Sequence, residues 1–313
     1  MTPSKDFSLY KVFESSEDRS VNFLFQNPDA AIIESRFVQR DDTKIIIYLS
    51  SQTGCEQACR FCHLTQLGLN RQVRSVDLYT FQLQAMTVLR HMLASKGIQG
   101  KPSRVSFNFM ARGEPLLNPT LVQTPTLVYD ALTDIAHLAS FSEVDFKIST
   151  ILPQSPPGND GSRIIPYYEM LQNVVFKQTH AVELYYSFYS VDPVFRKQWL
   201  PNSIAADVAG VVLAETHDRL VLHHALIAGA NDRSEDMAVI CHWLRKYDIR
   251  ARFNLVRYNP FSPNQGQETD DATIENYLDQ LRQSDCFTSV QIVPRVGFDV
   301  AASCGMFINN SQV

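Results

Sequence analysis

Lys44-Ile-Ile-Ile-Tyr-Leu-Ser50 runs directly into Ser51-Gln-Thr-Gly-Cys55-Glu-Gln-Ala-Cys59-Arg-Phe-Cys62. The first seven residues are a β-branched apolar run of strand length. The next twelve form a polar, glycine-containing loop with thiols spaced C-x3-C-x2-C. A buried strand that ends in a loop rich in ligand side chains is the layout of a parallel α/β sheet. In such sheets function sits beyond the carboxyl ends of the strands.

The same rhythm continues along the chain. Further strand-like runs are Arg104–Met110, Val144–Thr150, Val182–Tyr189, Leu220–Ile227 and Arg252–Val256. Stretches with helical spacing separate them: Val76–Met92, Pro119–Leu138, Ile164–Phe176, Glu235–Tyr247 and Asp271–Ser284, followed by a late strand at Ser289–Val293. Strand and helix alternating at intervals of 30 to 60 residues predict parallel βα units. Six such units fit an open or closed barrel, and a doubly wound sheet is the competing arrangement. Residues 1–43 read as an N-terminal β extension, with Val21–Phe25 and Ala31–Val38 flanking an Asn-Pro-Asp-Ala turn. Residues 44–313 then form one α/β domain. Gln154–Ser162 and Pro260–Asp270 read as exposed insertions.

The 313 residues are 45% hydrophobic and 19% charged, with a net charge of −5. This is the composition of a folded chain, and the length permits a full core without disulfides. It excludes a basic nucleic-acid coat; an RNA partner requires a local positive patch. Arg60, Arg71, Arg74, Arg112, Arg257 and Arg295 lie near predicted strand ends and could supply one, against the plainer reading of scattered solvated charge. Apolar runs such as Val211–Ala214 are far shorter than a membrane span, and the first residues lack the apolar core of an export signal. A cytoplasmic chain without a membrane partner is the expectation.

Three of the six cysteines fall within eight residues. Without an export signal, that clustering points to metal or redox chemistry rather than a disulfide framework. Cys55, Cys59 and Cys62 can hold three irons of a [4Fe–4S] cube and leave the fourth open. S-adenosylmethionine can chelate that iron through its amino and carboxylate groups. Cys59-Arg-Phe-Cys62-His63 also matches a c-type haem attachment, which needs an oxidising compartment and leaves Cys55 unused. A zinc site needs a fourth ligand, His63 or a distant residue. Three structural cysteines are the bland alternative.

A collinear series of motifs then resembles the radical S-adenosylmethionine RNA adenine methyltransferases of the RlmN/Cfr type. It begins with Ser50–Cys55, Cys59–Cys62 and Gly68-Leu-Asn-Arg71. Met110-Ala-Arg-Gly-Glu-Pro-Leu-Leu-Asn118 is similar to the family's MGMGEPLLN, and Ile148-Ser-Thr150 with Pro153 to its VST…P. Ser187-Phe-Tyr189 with Arg196 and Pro201, Gly229-Ala-Asn-Asp232, and Asn254-Leu255 with Asn259-Pro-Phe261 follow in order. Gly297, Asp299 and Ala302-Ser-Cys-Gly305 complete a series that covers roughly residues 7–307.

The resemblance implies an open (β/α)6 partial barrel with Cys55, Cys59 and Cys62 as cluster ligands. It implies Gly113 and Glu114 at the methionine amino group of S-adenosylmethionine. Ser149, Asn254 and, more weakly, Ser187 would face its carboxylate or ribose; a strand-end serine bonding its own backbone is the alternative. It implies that Cys304 accepts a methyl group and delivers it to an adenine carbon, C2 or C8, of a ribosomal or transfer RNA. Electrons would come from a flavodoxin or ferredoxin. Cys241 and Cys286 read as packing residues.

The pattern also breaks. Tyr48 stands where the family carries a second catalytic cysteine, seven residues before Cys55. Tyr189 replaces a histidine, and Arg112 a methionine. An arginine there would either bind a substrate phosphate or carboxylate, or snorkel out of the barrel mouth. Only 54 residues precede Cys55, too few for the family's N-terminal RNA-binding domain. Two other readings follow from these departures: an enzyme of the same fold acting on a different or smaller substrate, and a zinc-stabilised RNA-binding or regulatory module.

Overall fold

The structure is a computed structural model that describes residues 7–154, 164–214, 216 and 219–308. Ile45, Ile46 and Ile47 are all buried. A strand covered on both faces reads as a continuous apolar run, as parallel strands in α/β proteins do.

The strands are β1 (Ser8–Glu14), β2 (Val21–Gln26), β3 (Ile32–Val38), β4 (Lys44–Tyr48), β5 (Arg104–Phe109), β6 (Glu143–Thr150), β7 (Ala181–Ser187), β8 (Leu220–His224), β9 (Arg252–Val256) and β10 (Ser289–Val293). They form one ten-stranded sheet in sequence order. β1 to β4 pair antiparallel and β4 to β10 pair parallel. A doubly wound sheet reverses its strand order; this one never does, so the chain winds in one direction as a barrel does. The N-terminal strands continue the same sheet through the β3–β4 pairing.

The helices are α1 (His63–Gln66), α2 (Leu78–Ala94), α3 (Pro119–Gln123), α4 (Pro125–Leu138), α5 (Ile164–Leu171), α6 (Pro193–Trp199), α7 (Ala206–Leu213), α8 (Ser234–Lys246) and α9 (Asp271–Gln283). Spacing predicted a single helix over Pro119–Leu138. The chain instead breaks at Thr124, which takes φ −132° and ψ 52° ahead of Pro125, because a proline disfavours helical geometry in the residue before it. The helix from Ile164 ends in a π-helical turn at Gln172–Phe176. Most of the expected insertion at Gln154–Ser162 lies outside the described residues.

The core is aromatic. Phe81, Phe107, Phe109, Tyr129 and Phe146 are fully buried where α2 and α4 cover β5 and β6. Among the described residues no helix is long and apolar enough to cross a membrane.

No pairing between β10 and β1 closes the sheet among the described residues. The segment after β10 instead returns to the N-terminal strands. Gly297 N donates to Asp18 (2.7 Å), Ser15 Oγ donates to Asp299 (2.7 Å) and Asn22 Nδ2 donates to Val300 O (3.1 Å). Its far end runs across β3, where all seven residues are buried.

Candidate active site

The loop after β4 is held by hydrogen bonds to the loop after β5. Ser51 N and Gln52 N both donate to Arg112 O, at 2.8 and 3.1 Å. Asn118 Nδ2 donates to Ser51 O (2.7 Å) and Val76 O (2.9 Å). Glu114 N donates to Gln52 Oε1 (2.9 Å). The loop after β4 and the loop after β5 therefore fold as a unit. Gly54 lets the chain pass beneath Leu69: a Cβ there would lie 2.1 Å from Leu69 O.

Cys55, Cys59 and Cys62 line one cavity of about 170 Å³ together with Gly113, Glu114, Ser149, Ser187 and Cys304. All three loop cysteines are free thiols. Burial, the chief cause, pushes their pKa values up, Cys62 to about 11; the neighbouring thiols add to the rise at Cys55 and Cys59. This is an electron-rich donor set waiting for positive charge, and it suits an iron–sulfur cluster. Among the described residues no three His, Cys, Asp or Glu side chains converge to hold one metal ion. A cube needs no such convergence, because each thiolate takes its own iron. His63, the near candidate for a fourth zinc ligand, instead places Nε2 3.0 Å from Asn259 O. Phe61, between the last two thiols, stacks on Tyr189 at 4.3 Å and 14°.

Glu114 follows Gly113 at the end of β5. Its Oε1 accepts from Leu116 N and its Oε2 from Ile151 N, both at 3.1 Å. Desolvation dominates these bonds and raises its pKa to about 7. Such a carboxylate gains most when a cationic group enters beside it.

Cys304 reaches the cavity from the far end of the chain. Asn259 Nδ2 donates to Cys304 O (2.9 Å) and Ser303 Oγ (3.2 Å), and His63 N donates to Gly305 O (3.0 Å). Its thiol is exposed into the cavity, and Sγ lies 3.6 Å from His223 Nε2.

The predicted residues do not all meet. Asn254 is buried but does not line the cavity; Gln291 on the neighbouring strand donates to its Oδ1 at 2.7 Å. Cys241 and Cys286 sit near Ser284, away from the cavity. Tyr48 does line it.

Arg112 corrects the sequence reading. It neither snorkels nor faces a ligand. It is 1% exposed, with Nε and Nη2 2.8 and 2.6 Å from Glu34 Oε1 and Nη2 3.1 Å from Ile308 O. Of the arginines that could form a positive patch, Arg257 and Arg295 line the cavity and share Glu268, and Arg74 pairs with Asp29. Sequence reasoning missed Arg36, Arg40 and His223, all on the cavity wall. None sits in a recognisable motif.

No family model matches the chain. A probable RNA methyltransferase of Rhodopirellula baltica is 26% identical, over 97% of this chain and 74% of its own length. The dual-specificity RNA methyltransferase RlmN of Helicobacter hepaticus is 24% identical, over 96% and 79%. The probable RlmN of Thermosynechococcus vestitus is 26% identical, over 93% and 77%. The chain is thus similar over most of its length to proteins named RlmN-type RNA methyltransferases. Its fold matches a radical SAM methyltransferase from Sphaerobacter thermophilus with a TM-score of 0.71 at 18% identity, over 96% of this chain and 81% of that one. The open parallel sheet expected from the RlmN-type resemblance is therefore the fold observed.

Proposed function

We propose that the protein is a radical S-adenosylmethionine methyltransferase that modifies an adenine carbon of RNA, with Cys304 as the methyl carrier. One observation carries this reading: Cys304, nearly 250 residues from the cysteine loop, lines the same cavity as Cys55, Cys59, Cys62 and Glu114.

Cys55, Cys59 and Cys62 would hold the [4Fe–4S] cluster, reduced by a flavodoxin- or ferredoxin-type donor. When bound, the cluster and S-adenosylmethionine supply the one-electron chemistry that opens an unactivated C–H bond. The chain's own residues set the stage for it. Glu114 accepts the cofactor ammonium and loses its proton as that charge arrives. Gly113, on the cavity wall, would present its backbone to the methionine chain, and Ser149 and Ser187 would offer hydroxyls to its carboxylate or ribose. Cys304 takes a methyl group from one S-adenosylmethionine by displacement and presents it to the base. The route suits adenine, whose sp2 C–H is too weakly acidic for base-assisted methylation. Arg40, exposed at the cavity wall, faces the path of an incoming phosphate.

The test is anaerobic reconstitution with methyl-labelled S-adenosylmethionine, followed by peptide mapping. The expected result is a thioether methyl on Cys304 that is absent in Cys304→Ala. An unmodified Cys304 would end the reading. Mass spectrometry of cellular RNA should then show a methyladenosine that depends on the gene.

A second reading rests on Tyr48, which lines the cavity where a thiol would have finished the reaction. It keeps the fold and the cofactors but gives the enzyme a different or smaller substrate. Unchanged RNA alongside a methylated Cys304 would select it.

Glu114 also sets a pH dependence. The cationic cofactor prefers the ionised carboxylate, and the folded pKa of about 7 means that protonation competes below neutrality. Affinity for S-adenosylmethionine is expected to weaken as pH falls through about 7, steepening towards tenfold per unit. In Glu114→Gln the affinity is expected to be lower and flat across that range; calorimetric titration at several pH values reads both.

A further inference from the structure

His223 is the last residue but one of β8 and pairs in register with Ser187 on β7 and Asn254 on β9. Its side chain points into the cavity, with the residue 9% exposed. Nε2 faces Cys304 Sγ at 3.6 Å, and Nδ1 is buried without a hydrogen-bond partner. Among the described residues no other hydrogen bond reaches that sulfur. Burial, the chief cause, and the nearby Arg40 lower the His223 pKa to about 4, so the ring is neutral at physiological pH. Desolvation by the cavity walls raises the Cys304 pKa, with Arg36 and Arg40 offsetting part of the rise. A thiol held neutral is a weak nucleophile until its proton leaves.

We propose that His223 is the proton acceptor that activates Cys304. This rests on the methyl-carrier reading above. As Cys304 Sγ attacks, its S–H bond breaks and the proton passes to His223 Nε2. A new S–CH3 bond forms while the sulfonium carbon–sulfur bond of S-adenosylmethionine breaks, and that electron pair leaves with neutral S-adenosylhomocysteine. The positive charge passes from sulfonium to imidazolium, so charge and atoms balance. Tyr185 on β7, Tyr189, Cys62, Arg36 and Arg40 surround the pair; His224, next along β8, points to the opposite face, towards Asn231 and Tyr277. The cation of Arg40 disfavours the imidazolium, which passes its proton on to water or buffer.

The experiment reads alkylation of Cys304 by iodoacetamide, by peptide mapping of the cluster-loaded full chain without S-adenosylmethionine. In the wild type the rate is expected to level off between about pH 5 and 8, because the acceptor is already neutral. A tenfold rise per pH unit across that window would mean free thiolate alone reacts, and would overturn the proposal without any variant. In His223→Gln the rate at pH 7 is expected to drop about 100-fold, with the deficit closing at alkaline pH. A Gln variant that matches the wild-type rate and profile also overturns it. Methylation by labelled S-adenosylmethionine separates the two readings. Wild type that alkylates with the expected plateau but never methylates leaves the His223 pairing standing and removes the methyl-carrier reading. Methylation that proceeds equally in both proteins does the reverse.

Discussion

Glu34→Gln is expected to destabilise the fold by about 3–5 kcal/mol. Glu34 is completely buried, and it is the counter-ion of two buried arginines. Arg112 reaches its Oε1 and Arg36 its Oε2 (3.3 Å), and Asn22 Nδ2 donates to the same Oε2 (3.1 Å). Neither guanidinium can shed its proton. Neutralising the carboxylate leaves two buried cations facing each other, and that is the costly way to break a buried ion pair. The same network anchors the returning segment: Arg36 donates to Ala302 O (3.4 Å), Ser303 O (3.3 Å) and Met306 O, and Ile308 N donates to Glu34 Oε1 (3.2 Å). Urea denaturation should show a lower midpoint with an unchanged slope. Adding Arg112→Met to Glu34→Gln should recover part of the loss by removing one of the two stranded cations. A loss under about 1 kcal/mol for the single variant, in the range of an exposed pair, would contradict the account.

Gly113→Ala is expected to disrupt the site beyond what backbone strain alone would do. Gly113 has φ +103°, and a Cβ there would lie 2.6 Å from Ser51 Oγ, 2.7 Å from Gln52 Cβ and 2.8 Å from Gln52 N. Backbone strain of this kind costs about 1–3 kcal/mol. The clash adds to it by prising apart the two loops that share the Arg112 carbonyl. Glu114 would lose its bond to Gln52, so binding of S-adenosylmethionine should fall below detection. Gly68→Ala is the control: its φ is +71°, but nothing lies within 4 Å of the added carbon. That variant should show strain alone and keep its affinity. Equal losses in both would mean the clash at Gly113 is relieved and the loop contact is dispensable.

The parallel strands and the cysteine loop were legible because each depends on neighbours in sequence. A β-branched run makes a strand, and thiols three and four residues apart must share a loop. The break at Thr124 was legible too, in Pro125, but helical spacing outweighed it. Arg112 was misread because its partner lies 78 residues earlier in β3, and no local pattern announces a buried ion pair. Asn254 was assigned to the cofactor because its motif matched, whereas Gln291 from a strand 37 residues later occupies its oxygen. His223 carried no motif at all. Its meaning comes from a cysteine 81 residues away in sequence and 3.6 Å away in space. Helices α1, α6 and α7 lay outside every stretch read as helical, because they are too brief to show helical periodicity.

The returning segment also orders events during biosynthesis. Its bonds to the N-terminal strands span 266 to 284 residues. A nascent chain can pair its strands and expose its cysteine loop long before Cys304 exists to meet it. The cysteine loop can therefore form before Cys304 docks beside it. Contacts this distant in sequence form slowly, so docking of the returning segment is a late step in folding.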